Sequence, residues 1–232
     1  MGGVQRIMVI VLLGLCASAW ALQETPARRT LAVLDFENNS LKNKEELEPL
    51  CKGLSDMFIT ELSKVQEFQI VERANLQQIL EEMKLGQSGM IESSAAQEVG
   101  KMLGAQNLIL GSFMMMLDGK MRIDARLVEV ESGKTLMAEE ETGSPNDLSK
   151  MVTNLVGKNI RRMNIRLSGE ESKALRETDN KSFDAALLFA RGIDFEEKGN
   201  LAEARRCYLQ ALKLNPKFRR ARARLLALRK GN

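Results

Sequence analysis

Between Phe68 and Gly86 the sequence FQIVERANLQQILEEMKLG changes its apolar period. Phe68, Ile70 and Val71 read as a strand, whereas Leu76, Ile79, Leu80 and Met83 recur at helical spacing. The face that the chain buries must therefore change within a few residues. Glu72 and Arg73 stand at the corner, where open α/β sheets often hold ligands. That corner is either the lip of a site or a joint of the fold.

The residues on either side extend the pattern. LAVLDFE, from Leu31 to Glu37, reads as a buried strand, and an amphipathic helix runs from about Lys44 to Val65, or starts just before Pro49, a residue that a first turn tolerates. After the Gly- and Ser-rich GQSGMIESS, a helix from about Ser94 to Leu103 stops at Gly104. Asn107–Leu117 and Lys120–Glu131 then form a hairpin across Asp118-Gly119, and SGK turns the chain into a third strand, TLMAEEET. A long amphipathic helix follows from about Asn146 to Leu167. The order β-α-β-α-α-β-β-β-α predicts an α/β sandwich over 28–167, a mixed sheet with an antiparallel meander covered by helices. SGEESKALRETDNKS, 168–182, has almost nothing to bury and reads as a linker. Apolar stripes at helical period resume over 183–232, a small all-α unit.

The first residues address the compartment. Arg6, the apolar run IMVIVLLGLC and the small-residue ASAWA form the layout of a secretory signal peptide over 1–21. The competing reading is a retained anchor, for which the apolar run falls short of the ~20 residues of a spanning helix. Lipidation at Cys16 is not expected, because Leu15 stands where a lipoprotein signal wants a small residue. Of the two remaining cysteines, Cys51 falls on an apolar helix stripe and Cys207 lies in the other unit, so two separate small hydrophobes are expected. Positive and negative charges nearly cancel, which gives no global pointer to nucleic acid.

The motif scan predicts no catalytic, cofactor or metal set. Histidine is absent, which removes Ser-His-Asp and Cys-His pairs and every His-containing zinc site. Asp35 ends the first strand as catalytic carboxylates often do, but no glycine loop follows it. An enzyme using Asp35 and Glu72 stays open as an alternative. SGKT, Ser132–Thr135, lacks the earlier glycine of a phosphate loop, since Val128 occupies that position. Glu139–Glu141 and Met114–Met116 alternate across a strand, so neighbours cannot share one ion easily. Asn38-Asn39-Ser40 is a formal glycosylation acceptor. The final helix, KFRRARARLLALRK, is basic throughout. Arg219, Arg220, Arg222 and Arg224 are its candidate contacts to an anionic partner, such as lipid head groups or an acidic protein, against the plainer reading of a solvated capping helix.

Two resemblances rest on these residues. LAVLDFEN, ITELSKVQEFQIVERANLQQILEEMKL, LGAQNLILGSF and RLVEVESGKTL together resemble the CsgG family, the curli production assembly/transport component, with TolB amino-terminal-like and penicillin-binding-protein-activator architectures nearby. That resemblance implies a non-catalytic periplasmic domain, with Glu72-Arg73 as a joint. Leu188, Gly192, Phe195, Gly199, Ala204, Tyr208, Ala211 and Pro216 resemble one tetratricopeptide repeat over Ala185–Pro216, with Arg191 where leucine is usual.

Together these readings imply an exported envelope protein, periplasmic and peripherally associated with the outer membrane in one form. It would meet protein partners or itself, and no small-molecule substrate, cofactor or nucleic acid is expected. A subunit of a CsgG-type channel is the first alternative.

Overall fold

The computed structural model describes residues 28–83, 93–177 and 182–230. The expected signal peptide and the GQSGMIE part of the connection lie outside them. Strands β1 (Arg29–Val33), β2 (Glu37–Asn38), β3 (Phe68–Ile70), β4 (Asn107–Met115), β5 (Met121–Glu129) and β6 (Thr135–Gly143) form one sheet. Its order is β3-β1-β4-β5-β6, with β2 also on β4. Pairs among β1 to β4 are parallel, and β4-β5-β6 is the antiparallel meander. The expected mixed α/β sandwich is present, followed by the helical stretch.

The helices are α1 (Lys44–Leu47), α2 (Leu50–Leu62), α3 (Arg73–Glu82), α4 (Ser93–Met102), α5 (Leu148–Arg162), α6 (Gly169–Arg176), α7 (Phe183–Glu197), α8 (Leu201–Leu214) and α9 (Arg219–Lys230). The helix expected over 44–65 is split at Glu48-Pro49, where proline cannot donate to the preceding turn. The imperfect alternation of the second meander strand has a cause. Val128 and Val130 lie on the face opposite Leu127, as alternation requires, and they are apolar because α4 covers that face at this end of the strand.

Two cores result. On one face of the sheet Leu31, Ile109, Phe113, Ile123 and Leu127 meet α2 and α5. On the other, α3 and α4 cover Leu34, Leu108, Leu110 and Val128.

The segment expected as a linker departs from its reading. Ser168 caps α6 with a full capping box, its hydroxyl accepting from Glu171 N while the Glu171 carboxylate accepts from Ser168 N. Leu175 is then buried in the first core. A polar composition concealed one apolar anchor at the right turn of a short helix.

The C-terminal helices have their own core of Ala185, Phe189, Ile193, Ala204, Tyr208, Ala211, Phe218, Ala221 and Leu225. A Cβ on Gly192 would lie 2.3 Å from the Tyr208 ring, so the glycine lets α8 approach α7. Yet α7 has a second apolar face. Ala186, Leu187 and Ala190 belong to the core of the α/β domain. The two units share one packed interior along α2.

Candidate functional site: an ionic seam between the two units

α2 lies between the sheet and the C-terminal helices. Its apolar stripe, Leu50, Leu54, Met57, Phe58 and Leu62, faces the sheet domain's core. Its opposite face carries Lys52, Gly53 and Asp56, at spacings that keep them on one side of a helix, and Glu61 is buried near the helix's C-terminal end. This second face is buried too, and every charge on it has a counter-charge across the seam.

Lys52 Nζ meets Asp194 Oδ1 at 2.9 Å and Glu197 Oε2 at 2.8 Å on α7. Arg224 Nη2 of α9 donates to Asp56 Oδ1 at 2.5 Å. Arg224 Nη1 reaches Glu196 Oε1 at 3.3 Å, and Tyr208 OH donates to Glu196 Oε2 at 2.5 Å. Arg220 Nη2 reaches Glu61 Oε1 at 3.1 Å, while Lys64 Nζ holds Glu61 Oε2 at 2.6 Å.

The strand-to-helix corner joins the same network. Arg73 Nη1 donates to Asp35 Oδ1 at 2.8 Å and to Ser55 Oγ, and its Nη2 donates to Glu197 Oε1 at 2.7 Å. Ser55 Oγ donates to Asp35 Oδ1 at 2.8 Å. One guanidinium thus ties the end of β1, the side of α2 and the end of α7. Its side chain is 12% exposed and that of Asp35 6%. Glu72 points elsewhere. It is exposed at the N-cap of α3, so the structure does not bring it together with Asp35.

Electrostatics follow the pairing. Burial alone pulls Lys52 down, but Glu197 and Asp194 outweigh it and hold the ammonium above its usual range. Burial likewise opposes the charge on Arg73, and Asp35 and Glu197 more than restore it. Arg224 is raised in the same way against its burial by Asp56 and Glu196. Desolvation pushes the Cys51 thiol up to about 12, with Glu48 and Asp35 adding to it. A pocket of about 400 Å³ opens beside the seam, lined by Asp35, Glu45, Glu48, Cys51, Lys52 and Asp194 among others. In it burial favours the protonated Cys51 thiol, and Lys52 is held by Asp194 and Glu197.

The remaining sequence candidates are placed as follows. Glu140 faces Arg122 on the sheet, whereas Glu139 and Glu141 face Lys158 of α5, so alternation divides the run. Among the described residues no group of three His, Cys, Asp or Glu gathers as for a metal ion. Ser132 to Lys134 form the turn between β5 and β6. Asn38, the formal acceptor, is 5% exposed and donates to Lys44 O at 2.8 Å and Glu48 Oε2 at 3.1 Å. Cys51 and Cys207 are both free and buried. Of the four basic residues on the last helix, Arg220 and Arg224 turn inward to this chain's own carboxylates. Arg219 reaches Glu177 at 3.2 Å, and Arg222 donates to Pro216 O at 2.7 Å.

Sequence reasoning did not anticipate the seam. One signal was present: Gly53 in mid-helix, where glycine costs about 1 kcal/mol relative to alanine without a packing reason.

Residues 16–116 match the family described as curli production assembly/transport component CsgG, and residues 185–218 match the tetratricopeptide repeat. The first match stops at the tip of the β4–β5 hairpin, so RLVEVESGKTL lies beyond it. No curated protein matches the chain in sequence. Solved structures similar to it include the LpoB C-terminal domain from Escherichia coli, at 17% identity and a TM-score of 0.41, covering 59% of this chain and 93% of that one. Lipoprotein GNA1162 from Neisseria meningitidis has 15% identity and a TM-score of 0.40, with coverage of 60% and 99%. TolB from Acinetobacter baumannii has 13% identity and a TM-score of 0.38, with coverage of 59% and 28%.

Proposed function

We propose that this chain is a non-enzymatic accessory of an assembly or transport machine in the bacterial envelope, exported to the periplasm, whose C-terminal helices form a fixed interaction arm. The observation that carries this reading is the charge-matched seam. The carboxylates and cations nearest Asp35, which follows β1, are matched to one another and hold two units together. Such an arrangement serves rigidity. A general acid or base needs a group with freedom to exchange its proton with a substrate.

The inner face of a repeat unit ordinarily offers a concave surface to a partner. Here α7 and α9 close that face over α2 of the same chain. The arm therefore meets partners with its outer face, at an orientation set by the α/β domain. The description of the matched family supports the envelope setting. The channel-subunit reading rests on that description alone. The hairpin that would have to extend into a membrane closes at Asp118-Gly119, with Gly119 at a φ of 80°.

The test has two arms. Osmotic-shock fractionation of cells making the chain should release it with periplasmic markers, and retention in the cytoplasm would overturn the location. Purified protein should show no turnover of ester, phosphate, peptide or glycoside substrates that depends on Asp35. Activity abolished by Asp35→Asn in a variant that still folds would sink the non-enzymatic reading.

A further inference from the structure

Charge is distributed unevenly along this nearly neutral chain. Residues 201–230 hold ten lysines and arginines against the single carboxylate of Glu203, while the remainder holds twenty-four against thirty. Two of the ten, Arg220 and Arg224, are consumed inside the seam. The seam also fixes where the other cations of α9 point, because docking the inner side of α9 on α2 turns its opposite side outward.

The outward side is ordered. On α8, Arg205, Arg206, Leu209 and Lys213 are exposed within about a quarter turn of the helix axis. On α9, Arg222, Leu226 and Arg229 are exposed at i, i+4 and i+7. Each helix thus presents a basic stripe with one leucine inside it, Leu209 at 41% and Leu226 at 51% exposure. Arg206 pairs with Glu203 on its own helix, which leaves the face strongly positive.

We infer that this outer face of α8 and α9 docks on an anionic lipid surface. Protein hot spots centre on tryptophan, tyrosine and arginine anchors seated in desolvated pockets, and nucleic-acid platforms stack bases on aromatic rings. Of the aromatic residues of this unit, Phe189, Tyr208 and Phe218 are turned into its core, and Phe183 and Phe195 of α7 are partly buried against the two interiors, so none lies on the exposed stripes of α8 and α9. What remains outside is long flexible cations around isolated leucines. That is the chemistry of a helix lying at the head-group level, with arginines reaching phosphates and aliphatic side chains entering between them.

The inference rests on the envelope location proposed above, and it fails separately from it. Vesicle binding is read on purified chain, whereas location is read by fractionation. The full chain is titrated with vesicles of phosphatidylcholine alone and of phosphatidylcholine with phosphatidylglycerol. Binding should be tighter to the anionic vesicles and weaken steeply with salt. The double variant Arg222→Glu/Arg229→Glu carries the same leader, so the comparison isolates the face. It should bind anionic vesicles at least about thirtyfold more weakly, the loss of two contacts at about 1 kcal/mol each. Should that variant melt early, Arg205→Gln/Lys213→Gln on α8 should show a smaller loss in the same direction. Equal binding to both vesicle types, or variants that bind as the parent does, would overturn the inference. So would binding to polyglutamate without binding to vesicles, which would assign the face to an acidic protein.

Discussion

A Cβ placed on Gly53 would lie 2.5 Å from the Cβ of Ala190, so α2 and α7 touch nearly backbone to backbone. This contact converts two sequence units into one body. Alanine at Gly53 would gain about 1 kcal/mol of helix propensity, but the opposing atom is fixed to the α7 backbone and cannot swing away. Gly53→Leu should cost about 1–3 kcal/mol or more by overpacking, measured by urea denaturation. Gly169→Ala, where an added Cβ meets nothing within 4 Å, should stay within about 0.5 kcal/mol of the parent.

Removing Arg73 leaves the buried Asp35 without its cation and Glu197 with Lys52 alone. Arg73→Met should destabilise the chain by about 3 kcal/mol, since one partner of a buried pair is lost. Asp35→Asn in the same background should recover part of that loss. A double-mutant cycle that shows no coupling would contradict the seam.

Alkaline stability should be limited by groups held in one protonation state. The folded pKa of Cys51 is pushed up to about 12 by desolvation from a starting value of 9.0. Its contribution is thus complete below pH 9 and is lost as pH rises toward 12, because only the unfolded chain releases the proton there. Tyr208, raised by burial and then by Glu196, acts with the same sign above its ordinary value. Lys52, raised on balance by its carboxylates, also loses its contribution as pH rises. Unfolding free energy should fall between pH 9 and 12, and Cys51→Ala should flatten the first part of that fall. Native Cys51 should also resist iodoacetamide at pH 8, reacting only after denaturation.

β6 ends the sheet and is nine residues long, a length that invites pairing with another chain. Lys158 of α5 donates to Glu140 O at 3.0 Å and Arg162 to Leu136 O at 3.4 Å, which occupies carbonyls of this strand. Lys158→Ala/Arg162→Ala should raise self-association, seen by light scattering, with little change in melting temperature. An unchanged monomer fraction would show that other features protect the edge.

Much of the fold was legible locally. Strand alternation, helix stripes and the Asp118-Gly119 and Ser132–Lys134 turns are properties of consecutive residues, and they fixed the element order and the hairpins. Gly192 and Tyr208 likewise marked a repeat, because the close crossing of α7 and α8 occurs between near neighbours in the chain. The same local reading left α6 as linker, since a single buried leucine makes no stripe.

What the tertiary structure alone decided is which face of each element is inside. α2 has an apolar face that any periodicity finds, but its charged face is buried as well, because α7 and α9 return to it from more than a hundred residues away. Lys52, Asp56, Glu61, Arg73, Arg220 and Arg224 have the composition of solvated surface. Their burial is favourable only when all partners arrive together, and that depends on where distant helices dock. Sequence could therefore identify these charges, and space alone could pair them.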